Sequence, residues 1–237
     1  MKKYSIVILV GGFGTRLEKI SNGIPKALMP IGDSLFIDLI LNEVSHYNID
    51  NIYLSMHYKS DLFVEYANKS KYNNLINIIE PLPMGTGGAI KYVIENSDIK
   101  SPFFVINGDT LSSVNLNKMM EIFLLNNYKA MIGVSKHSDS KRYGSVSIDN
   151  GKIVSFNEKQ KTSEGWINNG HYIFDKSIFK NSAKIFSIEK DMFPRLVKKE
   201  EVAAFEVPND KFIDMGIPKD YELLCEMQRK DKLWNLK

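Results

Sequence analysis

The feature that most constrains this chain is an abrupt change of texture near its start. Residues 4–10 form an apolar run rich in β-branched side chains, and Gly11-Gly12-Phe13-Gly14-Thr15-Arg16 follows at once. Such a run reads as a strand buried on both faces, which requires a sheet covered by helices on each side. A glycine-rich turn directly after it lets an anion approach main-chain N–H groups that side chains would otherwise shield. Arg16 adds a planar cation suited to phosphate oxygens, and Lys26, behind Pro25, can return a second positive charge to the same place. Two familiar phosphate loops are excluded. The dinucleotide fingerprint lacks its last glycine, and no Gly-Lys-Ser/Thr completes a P-loop. An ordinary strand-to-helix turn would use the same glycines.

Strand-like and helix-like runs alternate through the first half, the pattern of a parallel sheet flanked by helices. After the loop, Leu35, Leu39, Ile40, Val44 and Tyr47 recur at helical spacing. Strands are expected at 51–56, 75–80 and 102–106. Helices are expected at 86–96 and from Asn115 to about Asn126, and another through Asn68 with Ser60 or Asp61 as its cap. From Lys129 short alternating segments take over, at 130–135, 144–148, 152–156 and 167–174. Asp149-Asn150-Gly151 between two of them is a hairpin signal. This half reads as mixed sheet with antiparallel elements covering one end of the parallel core. Helices at 189–199 and 219–230 close the chain, with strands at 201–207 and 212–214 between them. The expected fold is α/β, a Rossmann-like three-layer arrangement with a mixed, mainly parallel sheet between helices. One domain over 1–237 is expected, in two halves that divide at about 128–129.

Composition narrows the function by exclusion. At 43% hydrophobic and 25% charged residues the chain is an ordinary globular one. A formal net charge of +3 without a dense Lys/Arg run supports neither nucleic-acid nor membrane-surface binding. The N-terminal apolar run is too short for a secretory signal, and no stretch nears the roughly 20 residues of a membrane span, so a cytoplasmic location is expected. The single cysteine, Cys225, has no disulfide partner and reads as a buried core thiol.

The run Leu9-Val10-Gly11-Gly12-Phe13-Gly14-Thr15-Arg16-Leu17, with Pro25-Lys26 downstream, closely resembles the signature of the sugar nucleotidyltransferases, the nucleotide-diphosphate-sugar pyrophosphorylases. The resemblance implies their nucleotide-diphospho-sugar transferase fold, with a nucleotide-binding half to about 128 and a sugar-phosphate-binding half from about 129, and a reaction between a sugar 1-phosphate and a nucleoside triphosphate. It implies that Val10, Gly11, Gly12, Gly14, Thr15 and Arg16 hold the triphosphate, while Lys26 stabilises charge at the α-phosphate. Asn107-Gly108-Asp109 ends a strand, where open α/β sheets bind ligands, although a lone Asp there also serves as a cap or turn. The family has a Mg²⁺-binding Asp at this point and a second at the element matching Phe212-Ile213-Asp214-Met215-Gly216. Arg16, Lys26 and Asp109 are therefore the expected catalytic residues, Asp109 and Asp214 the expected metal ligands, and Asn107 a further nucleotide contact. Two carboxylates plus phosphate oxygens suit Mg²⁺.

On the sugar side, Tyr143-Gly144, Glu158-Lys159 and Asn168 resemble the family's sugar-phosphate contacts. Without the resemblance, Asn157-Glu158-Lys159 is also what a polar turn looks like. Alternation puts Asn168, Gly170 and Tyr172 on one face and Asn169 with His171 on the other, which makes His171 a second-face residue rather than a base. Glu80-Pro81-Leu82-Pro83-Met84-Gly85-Thr86-Gly87-Gly88 resembles the family's base-recognition loop. A carboxylate, acceptor only, suits the adjacent N–H and NH₂ donors of guanine, so Glu80 points to GTP. The open alternative is a solvated Glu80, with Gly85 and Thr86 reading the base through backbone contacts. The resemblance extends through Phe212–Tyr221 and is strongest to the branch that transfers guanylyl to a heptose 1-phosphate. Uridylyl or thymidylyl transfer to a hexose 1-phosphate shares most motifs. A non-catalytic nucleotide-sugar-binding subunit would be expected to lose Arg16, Lys26, Asp109 or Asp214, and all four are present. The Asp-x-Asp of many glycosyltransferases is absent at Asp109. The last helices could support a homodimer, and core packing explains the same residues.

Overall fold

The computed structural model describes residues 3–126, 128–137, 145–157, 165–208 and 212–230. In chain order, β1 (Tyr4–Leu9) leads through the glycine loop to a short α1 (Glu18–Ser21) and a small ribbon of β2 (Pro30–Ile31) and β3 (Ser34–Leu35). Next come α2 (Phe36–Ser45), β4 (Ile49–Met56), α3 (Ser60–Lys69), β5 (Leu75–Ile79), α4 (Gly85–Glu95) and β6 (Phe103–Asn107). Then follow β7 (Thr110–Ser112), α5 (Leu116–Leu125), β8 (Ala130–His137), β9 (Ser145–Asp149), β10 (Lys152–Asn157) and β11 (Gly165–Phe174). Among the described residues the chain closes with α6 (Phe193–Val197), β12 (Val202–Val207), β13 (Phe212–Asp214) and α7 (Pro218–Arg229).

Nine strands make one sheet in the order β5-β4-β1-β6-β11-β8-β12-β10-β9. The first four are mutually parallel, β11 and β8 run antiparallel to their predecessors, and β12 is parallel to β8. The second half therefore extends the sheet sideways instead of covering one end of the parallel core, as the sequence had suggested. Strand alternation sends Ile6, Ile8, Phe104 and Ile106 to one hydrophobic layer and Val7, Phe103 and Val105 to the other. That two-sided burial is why β1 from Ile6 to Leu9 and β6 from Phe103 to Ile106 are apolar throughout. The chain leaves β1 toward β4 on one side and later returns to β6 on the other, so β1 lies at a topological switch point.

Several local expectations need correction. Lys59, in the left-handed region at φ 51°, precedes α3, and neither Ser60 nor Asp61 caps it because Ser60 is already helical. The helix expected at 189–199 starts as a π-helical turn over Ile188–Met192, with Ser187 accepting from the Lys190 amide, and is α-helical only in α6. Cys225 is half-buried at the margin of the core. Residues 110–112 form a strand with no alternation long enough to flag it, and it pairs antiparallel with β13 in a separate two-stranded sheet.

Candidate functional site

Four strand ends meet at the switch point. Gly11–Gly14 follow β1, His57 follows β4, Glu80 follows β5, and Asn107 to Asp109 end β6. With Met84, Gly85, Thr86 and Ala89 at the start of α4, they line a cavity of about 360 Å³, within the range of small-molecule sites. Val10 donates to Ser55 O at 2.9 Å and Gly108 to Leu9 O at 2.9 Å, which fixes the strand ends against each other. The amides of Gly11, Gly12, Phe13 and Gly14 have no acceptor among the described residues. Unpaired N–H groups beside a cleft are what an anion needs.

Lys26 reaches this cleft under Gly14. Gly14 has φ +64°, and a Cβ there would lie 3.0 Å from Lys26 Cγ, so glycine both permits the turn and leaves the lysine its path. Lys26 Nζ donates to Asp109 Oδ2 at 3.2 Å, with the lysine side chain 14% exposed and the aspartate 40%. Asp214 comes to the same region through backbone pairing: it sits opposite Thr110 in the β7–β13 ladder, and the Met215 amide donates to Asp109 O at 2.9 Å. Its carboxyl is pushed up to about 6, first by loss of water and then by the negative charge of Asp109, while Lys26 and Arg16 pull it back. Arg16 is exposed and lies off the cavity wall, within charge reach of Asp214. Thr15 is described only as backbone.

A carboxylate whose folded pKa is raised lowers stability as pH climbs from the unfolded value, near 3.8, through about 6, and the cost is complete above that. Asp214→Asn should therefore stabilise the metal-free protein by up to about 3 kcal/mol at pH 8 and about 1 kcal/mol at pH 4.5. Denaturant melts in chelator at the two pH values check this. An equal gain at both would contradict the repulsion.

Glu80 is not solvated. It is 6% exposed, accepts from Ser55 Oγ at 3.0 Å and from the Met84 amide at 3.4 Å, and lines the cavity. Burial raises its pKa, opposed by those two donors and by His57. The first turn of α4 is clamped from the other side. Gly87 and Gly88 amides donate to Phe186 O at 3.0 and 3.2 Å, and Phe186 returns a bond to Met84 O at 3.0 Å. Thr86 Oγ1 donates to Glu189 at 2.8 Å and accepts from the Ile188 amide at 3.0 Å. A Cβ on Gly88 would stand 2.3 Å from Lys184 O, a backbone atom that cannot swing away. Gly88→Ala should cost about 2–3 kcal/mol and lower the melting temperature by about 5–10 °C, read by calorimetry. A melting point within a degree of the parent would contradict the packing.

Tyr143, Gly144, Glu158 and Lys159 lie outside the described residues. Asn168 is off the cavity wall, donating to Tyr172 Oη at 2.8 Å and accepting from the Gly170 amide at 3.0 Å. Burial, then the charge of Glu189, raises the Tyr172 pKa, opposed by hydrogen bonds to Asn168 and Asn107. The pairing of β11 with β8 shifts register between Asn168 and Tyr172, yet Asn169 and His171 still turn to the opposite layer. His171 is pushed down to about 4 by burial, so it is neutral at physiological pH and faces away from the cleft. Sequence reasoning missed His57 on the cavity wall, and the contacts of Tyr172 with Asn168 and of Glu189 with Thr86. For His57 the signal was available, since it follows a strand just as Asp109 does.

A cleft at the switch point of a parallel sheet, lined by free amides, a lysine and the Asp109 and Glu80 carboxylates, with Asp214 off its wall but within charge reach of Asp109, defines an α/β protein that handles an anionic small molecule. The chain belongs to the nucleotidyl transferase family, whose model matches residues 5–230. It is 36% identical over 224 residues to D-glycero-alpha-D-manno-heptose 1-phosphate guanylyltransferase from Campylobacter jejuni, covering 91% of this chain and 96% of that one. It is 34% identical over 218 residues to the enzyme of the same name from Aneurinibacillus thermoaerophilus, covering 91% and 94%. The crystal structure of HddC from Yersinia pseudotuberculosis complexed with GMP-PN superposes with a TM-score of 0.83 at 35% identity, covering 95% of this chain and 99% of that one.

Proposed function

We propose that this protein is a Mg²⁺-dependent cytoplasmic guanylyltransferase that joins D-glycero-α-D-manno-heptose 1-phosphate to GTP, yielding GDP-heptose and pyrophosphate for capsule or lipopolysaccharide synthesis. The observation that carries the reading is the meeting of unpaired loop amides, Lys26 and Asp109 in one cavity whose wall also holds the buried carboxylate of Glu80. The relatives named for heptose 1-phosphate guanylyl transfer support both substrates.

In this reading residues up to about 128 bind the nucleotide, and those from about 129 bind the sugar phosphate through Tyr143, Gly144, Glu158, Lys159 and Asn168. The loop amides and Arg16 hold the β- and γ-phosphates. Lys26, kept at the cleft by Asp109, offsets the charge that builds at the α-phosphate. A phosphate oxygen of the sugar 1-phosphate forms the new bond to the α-phosphorus, and the bond to the bridging oxygen of pyrophosphate breaks. No covalent protein intermediate is required. His57, the histidine on the cavity wall, is tied through Nδ1 to the Glu80 carbonyl.

Asp109 and Asp214 suit a hard divalent cation. They are oxygen donors whose charges oppose each other, and no third His, Cys, Asp or Glu joins them among the described residues. Mg²⁺ keeps several waters and asks for few protein ligands. When bound, it would neutralise phosphate charge and align the reacting groups.

Pyrophosphate release with GTP, Mg²⁺ and a panel of sugar 1-phosphates tests the assignment. The heptose phosphate should exceed mannose 1-phosphate and glucose 1-phosphate in kcat/KM. Preference for glucose 1-phosphate would overturn the sugar assignment, and GTP binding by calorimetry without turnover on any sugar would favour a non-catalytic subunit.

A further inference from the structure

We infer that His57 is a second base-reading residue, accepting a hydrogen bond from the 2-amino group of guanine beside Glu80. The inference rests on the guanine reading proposed above. The strands β4 and β5 are adjacent and parallel, with Met56 opposite Ile79, so their first residues beyond the sheet, His57 and Glu80, stand side by side. The Glu80 amide donates to Met56 O at 2.8 Å, which extends that pairing to the lip of the cavity. Both residues line the cavity. Gly11 borders both residues: a Cβ there would be 3.2 Å from Glu80 Oε1 and 3.2 Å from the His57 amide nitrogen. A flat ring resting over Gly11 would meet the Glu80 carboxylate and lie beside His57 on the same cavity wall.

The tautomer of His57 follows from its partner. Nδ1 is 3.0 Å from the Glu80 carbonyl oxygen. A carbonyl only accepts, so Nδ1 carries the proton, and in the neutral form of the ring Nε2 is then an acceptor. The edge contact with Phe13, ring centres 6.3 Å apart, helps hold that orientation. The cavity thus offers an imidazole nitrogen and a carboxylate, two acceptors on adjacent strand ends. Guanine presents N1–H and N2–H₂ as adjacent donors and matches both. Adenine offers an acceptor at N1, and uracil or thymine flanks one N–H with carbonyls, so each sets lone pair against lone pair. Hypoxanthine keeps N1–H and lacks only the 2-amino group, which isolates the His57 contact from the Glu80 contact.

The test compares kcat/KM for GTP and ITP in the full-length enzyme, in His57→Phe and in His57→Asn. Phenylalanine keeps a ring and loses both nitrogens. Asparagine keeps a donor for the Glu80 carbonyl but is too short to present the acceptor. The parent should prefer GTP over ITP about five- to tenfold, the worth of one such bond. Both variants should bring that ratio to within about twofold of unity, mainly through KM for GTP, and His57→Asn should melt within a few degrees of the parent. If His57→Phe does not fold, the parent ratio and His57→Asn decide. A parent that does not distinguish GTP from ITP, or a folded variant that keeps the full preference, overturns the inference. Turnover by the parent with UTP or ATP in place of GTP would instead sink the guanine reading itself.

Discussion

Replacing Asp109 by Asn is expected to lower kcat/KM for guanylyl transfer by at least about a thousand-fold while moving the melting temperature by no more than a few degrees. The two halves of that expectation have separate causes. The Asp109 side chain is 40% exposed and its ion pair with Lys26 is open to solvent on that side, so losing it costs little stability. Catalytically the same atom has two tasks in the proposed mechanism. It holds Lys26 Nζ at the cleft, and it supplies half of the carboxylate pair with Asp214. Asparagine keeps the shape and one oxygen but loses the charge on which both tasks depend. Single-turnover pyrophosphate release, with a thermal melt on the same sample, checks both halves. Near-parental turnover in a folded variant would contradict the role of Asp109.

Glu80→Gln is expected to cut kcat/KM for GTP by about 30- to 100-fold and to raise UTP relative to GTP, because a charge-assisted acceptor is exchanged for an amide that also donates. The two carboxylate oxygens of Glu80 already receive Ser55 Oγ and the Met84 amide. A glutamine can satisfy only one of these donors with its oxygen, so its NH₂ faces either Met84 N–H or guanine N1–H. Either choice sets donor against donor. Uracil and thymine, with a ring N–H between carbonyls, accept the amide more readily. Removal of a buried charge offsets the lost bond, so thermal stability should change less than specificity does. Steady-state kinetics with GTP and UTP on parent and variant measure the effect. An unchanged GTP to UTP ratio would mean that Glu80 only supports the strand end.

Much of this architecture was legible in the sequence because the two-sided sheet leaves a strong signal. Ile6 to Leu9 of β1 and Phe103 to Ile106 of β6 are apolar throughout, and the glycines after β1 break that texture abruptly. The hairpin at Asn150-Gly151 was legible for a similar reason, since both residues adopt positive φ, at 46° and 75°. The strand-end rule marked the position of Asp109, but its expected role, like that of Asp214, came through the resemblance. The placement of Asp214 depends on pairing with β7, three residues whose pairing partner lies about a hundred positions away. No local pattern reports such a contact. The Glu80 environment was ambiguous for a related reason. Its burial is created by Ser55, Gly11 and Met84, which come from three other segments of the chain. The Ile188–Met192 turn was read as ordinary helix because Ser187 and Asp191 capping is indistinguishable in sequence from the start of an α-helix. The sideways extension of the sheet by β8, β11 and β12 depends on register between distant strands, which apolar alternation does not encode.

The most direct test of the central claim is kcat/KM for each nucleoside triphosphate, with Mg²⁺ present and the heptose 1-phosphate saturating. GTP should exceed ATP, CTP, UTP and dTTP by at least about a hundredfold. Strong turnover with UTP or dTTP, and none with GTP, would contradict it.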